Sequence, residues 1–302
     1  MGGAQFFQYL LSGVATGSIY AIVGIGFNII YNATGMINFA QGEFLMLGGM
    51  MAISLQTFLP LPLAITAAVA ATGLLGVAMQ IVFLSWLRKP DVLRMIIITI
   101  GLSILIREAA LHVWDEKVHA LAFWTGDETS SLAVLGARLS PQLLWVLVIS
   151  GLMVAGLTLF FRFTLTGKAM RACASNGTAA RLCGIKAPRL VTLSFFIAAA
   201  MGALAGCVVS PITQTQYDMG MSLAVKGFTC AVLGGLGNVG AAVAAGILVG
   251  VLESASIAVL PLAYKDVVAL TIMLAILLVR PQGLFAGIGR KSGPLGQAHG
   301  GA

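Results

Sequence analysis

The chain has 302 residues, of which 59% are hydrophobic and only 9% charged, whereas an ordinary soluble domain carries roughly 25% charged residues. With a mean hydropathy of +1.00 and long unbroken apolar runs, it is an all-α polytopic membrane protein; the alternating strands of a membrane barrel are excluded. The net charge of +7 then reports the side of the bilayer on which lysines and arginines collect, and does not point to nucleic acid.

The N-terminal MGGAQFFQYL lacks a basic leader region, so the first apolar run reads as a retained span. Spans are expected at 9–31, 36–58, 61–84, 94–113, 143–161, 190–210, 221–237, 239–260 and 265–280. The runs at 221–237 and 265–280 are short enough to be tilted or re-entrant, so the expectation is about nine helices, within a range of eight to ten. With the N-terminus outside, twelve of the seventeen basic residues fall in inner segments. They are Arg88, Lys89, Arg94, Arg162, Lys168, Arg171, Arg181, Lys186, Arg189, Arg280, Arg290 and Lys291. Outer segments hold Lys117, Arg138 and Lys265, while Arg107 and Lys226 lie within spans. The C-terminus is therefore expected in the cytoplasm. Residues 1–286 read as one transmembrane domain, and the glycine-rich stretch 287–302 as a flexible cytoplasmic tail.

In the first half, near the start of the second span, the segment Asn38-Phe-Ala-Gln41-Gly-Glu43-Phe opens an apolar run that reaches Leu-Gly-Gly at 47–49. In the second half, Ala224-Val-Lys226-Gly-Phe leads to Leu-Gly-Gly at 233–235. Paired glycine-interrupted segments, each with one charge, point to a pathway near the bilayer middle, although few positions match between them. Charges inside a span cost several kcal/mol, on scales from about 3 to more than 10, and are normally paired or water-facing. Glu43, Lys226 and Glu253 are the deep ones, and with Asn38 and Gln41 they form the candidate pathway set. Glu43 and Lys226 can be read as a clamp for a zwitterion or as a structural ion pair. Arg107 and Glu108 approach a span end, where snorkelling or capping accounts for them. Most of the remaining intramembrane glycines, such as Gly13/Gly17 and Gly202/Gly206, read as close helix packing.

The outer segment 114–142 carries Trp114, Asp115, Glu116, Trp124, Asp127 and Glu128, readable as interfacial anchors or as a landing for an extracytoplasmic partner. The central interruption, 162–190, has six basic residues and no acidic one. Thr164 or Thr166 can cap a short helix from about Gly167 to Ser175, and Asn176 opens a second that Gly184 closes, with Pro188 preventing resumption. This is either a solvated positive-inside loop or a folded docking surface for a cytoplasmic partner.

Several motif matches fail on context. Gly235-Leu-Gly-Asn-Val-Gly240 fits a dinucleotide-loop spacing, but apolar spans flank it. Thr166-Gly-Lys168 resembles the end of a phosphate-binding loop, yet Lys168 is followed by Ala169 and position 162 holds Arg162. His112, His119 and His299 have no metal spacing, and the four cysteines (Cys173, Cys183, Cys207, Cys230) suggest neither a disulfide framework nor a metal site.

Gly17-Ser-Ile-Tyr-Ala-Ile-Val-Gly-Ile-Gly-Phe-Asn-Ile-Ile-Tyr31, then Gly35-Met-Ile-Asn-Phe-Ala-Gln-Gly-Glu-Phe-Leu-Met-Leu-Gly48, resembles the permeases of branched-chain amino-acid ABC transporters of the LivH type. The central Gly167-Lys168-Ala-Met-Arg171-Ala172, Asn176, Ala180 and Leu182-Cys-Gly184-Ile185 is similar to that family's cytoplasmic coupling segment. Phe228 to Gly237 and Arg280-Pro-Gln-Gly-Leu-Phe285 add to the likeness, which covers roughly residues 10 to 286. The resemblance implies a multi-pass inner-membrane permease subunit of an importer for branched-chain or related small amino acids. It implies no cofactor on this chain, ATP being used by two cytoplasmic ATPases that grip the coupling segment. A second related permease, completing a heterodimer, and an extracytoplasmic binding protein are implied as well. Relatives of the family also carry urea, short amides and small carboxylates. From the residues alone a stand-alone secondary transporter or channel is the rival class; an intramembrane enzyme lacks a visible catalytic constellation.

Overall fold

Proline, glycine and capping side chains cut the apolar sequence into helices of very unequal length. The computed structural model describes residues 3–85, 92–126, 130, 132–134, 137–257, 265–280 and 283–284. In chain order these form α1 (Gly3–Thr34), α2 (Gln41–Gln56), α3 (Leu61–Met79), α4 (Val92–Trp114), β1 (Leu132–Val134), β2 (Ala137–Leu139), α5 (Pro141–Phe163), α6 (Leu165–Ser175), α7 (Gly177–Leu182), α8 (Ala187–Thr213), α9 (Met219–Gly234), α10 (Val239–Ser256) and α11 (Lys265–Val279). A π-helical turn, Gln80–Leu84, extends α3. The two strands pair antiparallel as a small hairpin. Arg88, Lys89, Asp127, Glu128 and the tail 287–302 lie outside the described residues.

Each of the nine expected runs carries a helix, but among the described residues six reach spanning length and apolarity: α1, α3 with its π turn, α4, α5, α8 and α10. The run expected over 36–58 begins its helix only at Gln41. Gly35 takes φ +72° and ends the α1 region, and the Asn38 side chain then accepts from the Ala40 amide at 3.1 Å, turning the chain before α2. Pro188 does not hold off a following helix, contrary to expectation. It sits in the first turn of α8, where a missing N–H is harmless, and so helps to start it.

The bundle is layered around two central helices. About two thirds of the α1 span (67%) is buried, and 61% of α8, against 22% for each of α4 and α5. The outer faces of α4 and α5 present Leu93, Ile97, Leu105, Leu152 and Leu159, as helices bathed in lipid do. Small residues allow the centre to close. A Cβ on Gly17 of α1 would come within 2.8 Å of Ile247 Cα in α10, and one on Gly206 of α8 would collide with the Leu45 carbonyl in α2. The sixteen-residue helices α2 and α9 lie against this centre and meet each other near their N-termini. There, a Cβ on Gly220 would fall 2.9 Å from the Gly42 oxygen.

The segment after α4 is tied down over one end of the bundle. His119 and Thr215 exchange backbone hydrogen bonds of 3.0 and 2.6 Å, the Leu121 amide donates to Ser210 Oγ at 3.3 Å, and Gln142 Nε2 donates to the Val208 carbonyl at 2.8 Å. Trp114 Nε1 donates to Ser54 Oγ at 2.5 Å, while Trp124 packs on Trp145 with ring centres 5.6 Å apart. These tryptophans therefore pin the segment to the protein. At the other end of α5 stand α6 and α7. All four cysteines are free thiols.

Candidate functional site

The basic segment is folded by its own side chains. Thr164 Oγ1 accepts from the Gly167 amide at 3.0 Å and caps α6, and Asn176 Oδ1 accepts from the Ala179 amide at 3.0 Å and caps α7. Beyond α7, Gly184 at φ +81° lets its amide bond the Arg181 carbonyl at 2.9 Å and the Ile185 amide reach the Ala180 carbonyl at 3.1 Å. That paired closure is a Schellman motif, and it needs the left-handed conformation that glycine takes without strain. Lys168, Arg171, Ala172, Asn176 and Gly184 are exposed, Ile185 is half-buried, and Gly167 is buried against Phe160 and Phe161. Ala180 is buried inward at 4% exposure, whereas the neighbouring Leu182 stands 85% exposed. An amphipathic helix pair thus shows its basic residues and two bare leucines, Leu165 and Leu182, to solvent.

The first-half candidates form a buried polar cluster at the start of α2. Glu43 is 1% exposed and does not reach water unaided. Its Oε1 accepts from Ser103 Oγ of α4 at 2.8 Å, its Oε2 has no hydrogen-bond partner among the described residues, and Arg107 and Asp218 are within electrostatic reach. Gln41 Nε2 donates to the Ala198 carbonyl of α8 at 3.1 Å, and its Oε1 is unpartnered. Asn38 bonds Ala40 locally, as described above.

The second-half candidates meet elsewhere. Lys226 Nζ lies 2.8 Å from Glu253 Oε1 and donates to Tyr20 OH at 3.0 Å. The same hydroxyl donates to Glu253 Oε1 at 3.2 Å, and the ammonium sits 5.2 Å from the Tyr20 ring centre. Lys226 is paired with Glu253, not with Glu43. The two deep carboxylates have different partners, Ser103 for Glu43 and Lys226 with Tyr20 for Glu253.

Beside this triad lies a cavity of about 420 Å³ between α1, α5, α8 and α9, in the half of the bundle nearer the 115–140 segment. Ser12, Thr16 and Tyr20 give it a polar wall, Ile19, Val146 and Val209 an apolar one, and Lys226 lies at its edge. Its volume falls in the range typical of small-molecule sites. Gln214, also in the lining, holds φ 60° and ψ 160°, a conformation nearly confined to glycine and costing about 1–3 kcal/mol.

Sequence reasoning missed Tyr20, Ser103, Gln214 and the cavity. A signal for the first was present: Ser12, Thr16 and Tyr20 recur every fourth residue, a polar stripe along one face of α1, and Ser222 and Lys226 repeat that spacing on α9. The glycine-rich Gly235–Gly240 stretch is the α9–α10 turn. Its Gly237 amide donates to Asn28 Oδ1 at 2.7 Å and its carbonyl accepts from Asn32 Nδ2 at 3.1 Å, so it is a structural clasp onto α1.

A family model described as the branched-chain amino acid transport system / permease component matches residues 9–277. The chain is 34% identical to the high-affinity branched-chain amino acid transport system permease protein BraD of Pseudomonas aeruginosa, over 93% of this chain and 95% of that protein. It is 31% identical to the corresponding LivH protein of Escherichia coli strain K12, over 92% and 95%. A probable LivH of Methanocaldococcus jannaschii is 24% identical over 88% of each chain. Among solved structures, PsaBC from Streptococcus pneumoniae in complex with Fab is similar in fold, with a TM-score of 0.52, 93% coverage of both chains and 10% identity.

Proposed function

The chain belongs to the branched-chain amino acid transport permease family, and we propose that it is the membrane-embedded subunit of an ABC importer that moves branched-chain or related small amino acids across the bacterial inner membrane. It is a multi-pass membrane protein. In this reading the energy comes from two separate ATPases, a second related permease completes the pathway, and an extracytoplasmic binding protein delivers the solute. ATP is consumed by the partners, and this chain carries out no chemistry of its own.

The observation that carries the reading is the α6–α7 pair. A positive-inside loop needs only charge, yet this segment is capped at both helices, closed by a Schellman turn and left with Leu182 bare. That investment in local order suits a surface gripped by another protein. In the proposed orientation the N-terminus is outside, α6–α7 is cytoplasmic, and Gly167, Lys168, Arg171, Ala172, Asn176, Ala180, Leu182, Gly184 and Ile185 make up or support the contact with the ATPase. Movement of the ATPases on ATP would then bias the bundle between two states, through a difference in contact free energy between them.

The test is reconstitution of the chain with its ATPases, second permease and binding protein in proteoliposomes. Uptake of L-leucine that requires ATP and all the subunits is expected. Uptake persisting without the ATPases would replace this reading with a stand-alone transporter.

A further inference from the structure

We infer that Lys226 receives the carboxylate of the transported solute in the cavity between α1, α5, α8 and α9, and that Glu253 and Tyr20 hold its ammonium in place until the solute arrives. The inference rests on the permease reading and adds to it a site and a chemical selectivity.

Three independent features converge there. The cavity of about 420 Å³ has one apolar wall and one hydroxyl-bearing wall, which suits a small solute with a hydrocarbon part and a polar end. Its lining includes Lys226, while Glu253, 1% exposed, stands behind the lysine and is not part of the lining. The charge offered to the cavity is therefore positive. In the lining, Gln214 is held in a conformation that costs free energy, and such strain is retained mostly where function requires it.

The electrostatics explain how a lysine can wait inside a membrane domain. An isolated ammonium inside a membrane domain would be expensive, but a carboxylate at 2.8 Å offsets it and a phenol hydroxyl at 3.0 Å helps to point it. A solute carboxylate can then share or take over the ammonium. A zwitterionic solute brings its own positive charge, so its entry leaves the net charge of the site unchanged. A neutral amide or urea offers no anion to Lys226 and gains nothing from it. Selection for α-carboxylates would thus be built into the permease as well as into the binding protein.

The complete assembly in proteoliposomes tests this with Lys226→Met alone and with Lys226→Met/Glu253→Gln, which removes both charges together. If the lysine handles solute, L-leucine uptake falls about tenfold or more in both variants. If the pair is merely structural, neutralising both partners restores uptake to within about twofold of the unaltered assembly, and that result overturns the inference. A second measurement does not depend on either substitution. Ser222→Cys, in a chain carrying Cys173→Ser and Cys183→Ser, places a thiol in the cavity lining. In the assembled complex, L-leucine should slow its modification by a maleimide, and L-leucinol, which lacks the carboxylate, should not. Equal protection by the two overturns the inference, and if the double variant fails to assemble this comparison decides alone. An unaltered assembly that takes up no leucine overturns the permease reading itself, and this site with it.

Discussion

Lys226 and Glu253 face each other across two helices joined by a short turn, their charged atoms 2.8 Å apart, with the Tyr20 hydroxyl of α1 bonded to both. The triad ties α1, α9 and α10 together. Its members are unequal. Glu253 supplies the compensating charge, whereas Tyr20 supplies a neutral hydrogen bond and a ring face.

That inequality fixes an order of effects. Glu253→Gln should destabilise the folded chain by about 3 kcal/mol, because it takes away the carboxylate that stands 2.8 Å from a half-buried ammonium. Tyr20→Phe keeps the ring and should cost about 1 kcal/mol. Thermal unfolding of the purified protein in detergent measures both; a larger loss for Tyr20→Phe would show that the hydroxyl, and not the charge pair, organises the triad.

The Glu43 cluster predicts a difference of sign. Ser103→Ala removes the hydrogen bond to Glu43 Oε1 and should destabilise by about 1–3 kcal/mol, the cost of a buried acceptor left unmade. Glu43→Gln preserves the shape and the acceptor while removing the charge, so stability should hold or rise. Matched unfolding curves decide it, and a loss on Glu43→Gln as large as that on Ser103→Ala would mean the carboxylate is held by more than Ser103.

Much of this bundle can be read from residues. Thr164, Asn176 and Gly184 announce α6 and α7 because capping is a local transaction between a side chain and amides three residues on. The six long spans follow from hydropathy for the same reason, each needing only its own composition. Lengths of the short helices were harder, since α2 waits for Asn38 to finish its turn and Pro188 starts a helix as readily as it ends one. The partner of Lys226 was not legible at all. Glu43 and Glu253 are both single acids in apolar runs, and only the packing of α10 on α1, set by Gly13, Gly17, Gly246 and Gly250, brings the second to the lysine. Nor does sequence mark a cavity, which is a property of faces from four helices at once.

Glycines at the centre and on the outer face of the bundle should respond oppositely to alanine. At Gly206 a Cβ would strike the Leu45 backbone, so Gly206→Ala must push α2 and α8 apart, at a cost of about 1–3 kcal/mol or more. Gly151 on α5 has nothing within 4 Å of that position, and Gly151→Ala should be neutral or stabilising by up to about 1 kcal/mol through helix propensity. The yield of monodisperse protein together with its unfolding temperature distinguishes them. Similar behaviour of the two variants would contradict the close approach of α2 and α8.

The coupling surface can be separated from its own scaffold. Ala180 faces inward at 4% exposure, so a bulky residue there displaces α7 and says little about docking. Gly184 is held at φ +81°, and Gly184→Ala should cost about 1–2 kcal/mol of local order; Asn176→Ala should cost about 1 kcal/mol by loss of the cap. Leu182 differs from all three, since at 85% exposure it supports nothing within the chain. Leu182→Asp should therefore leave the unfolding temperature of the isolated chain unchanged while lowering leucine uptake by the assembly about tenfold or more, as removal of an apolar anchor from a protein interface does. Co-purification of the ATPases should weaken in parallel. If Leu182→Asp retains both uptake and the ATPases, α7 is not where the force enters, and the search moves to the exposed face of α6 around Lys168 and Arg171.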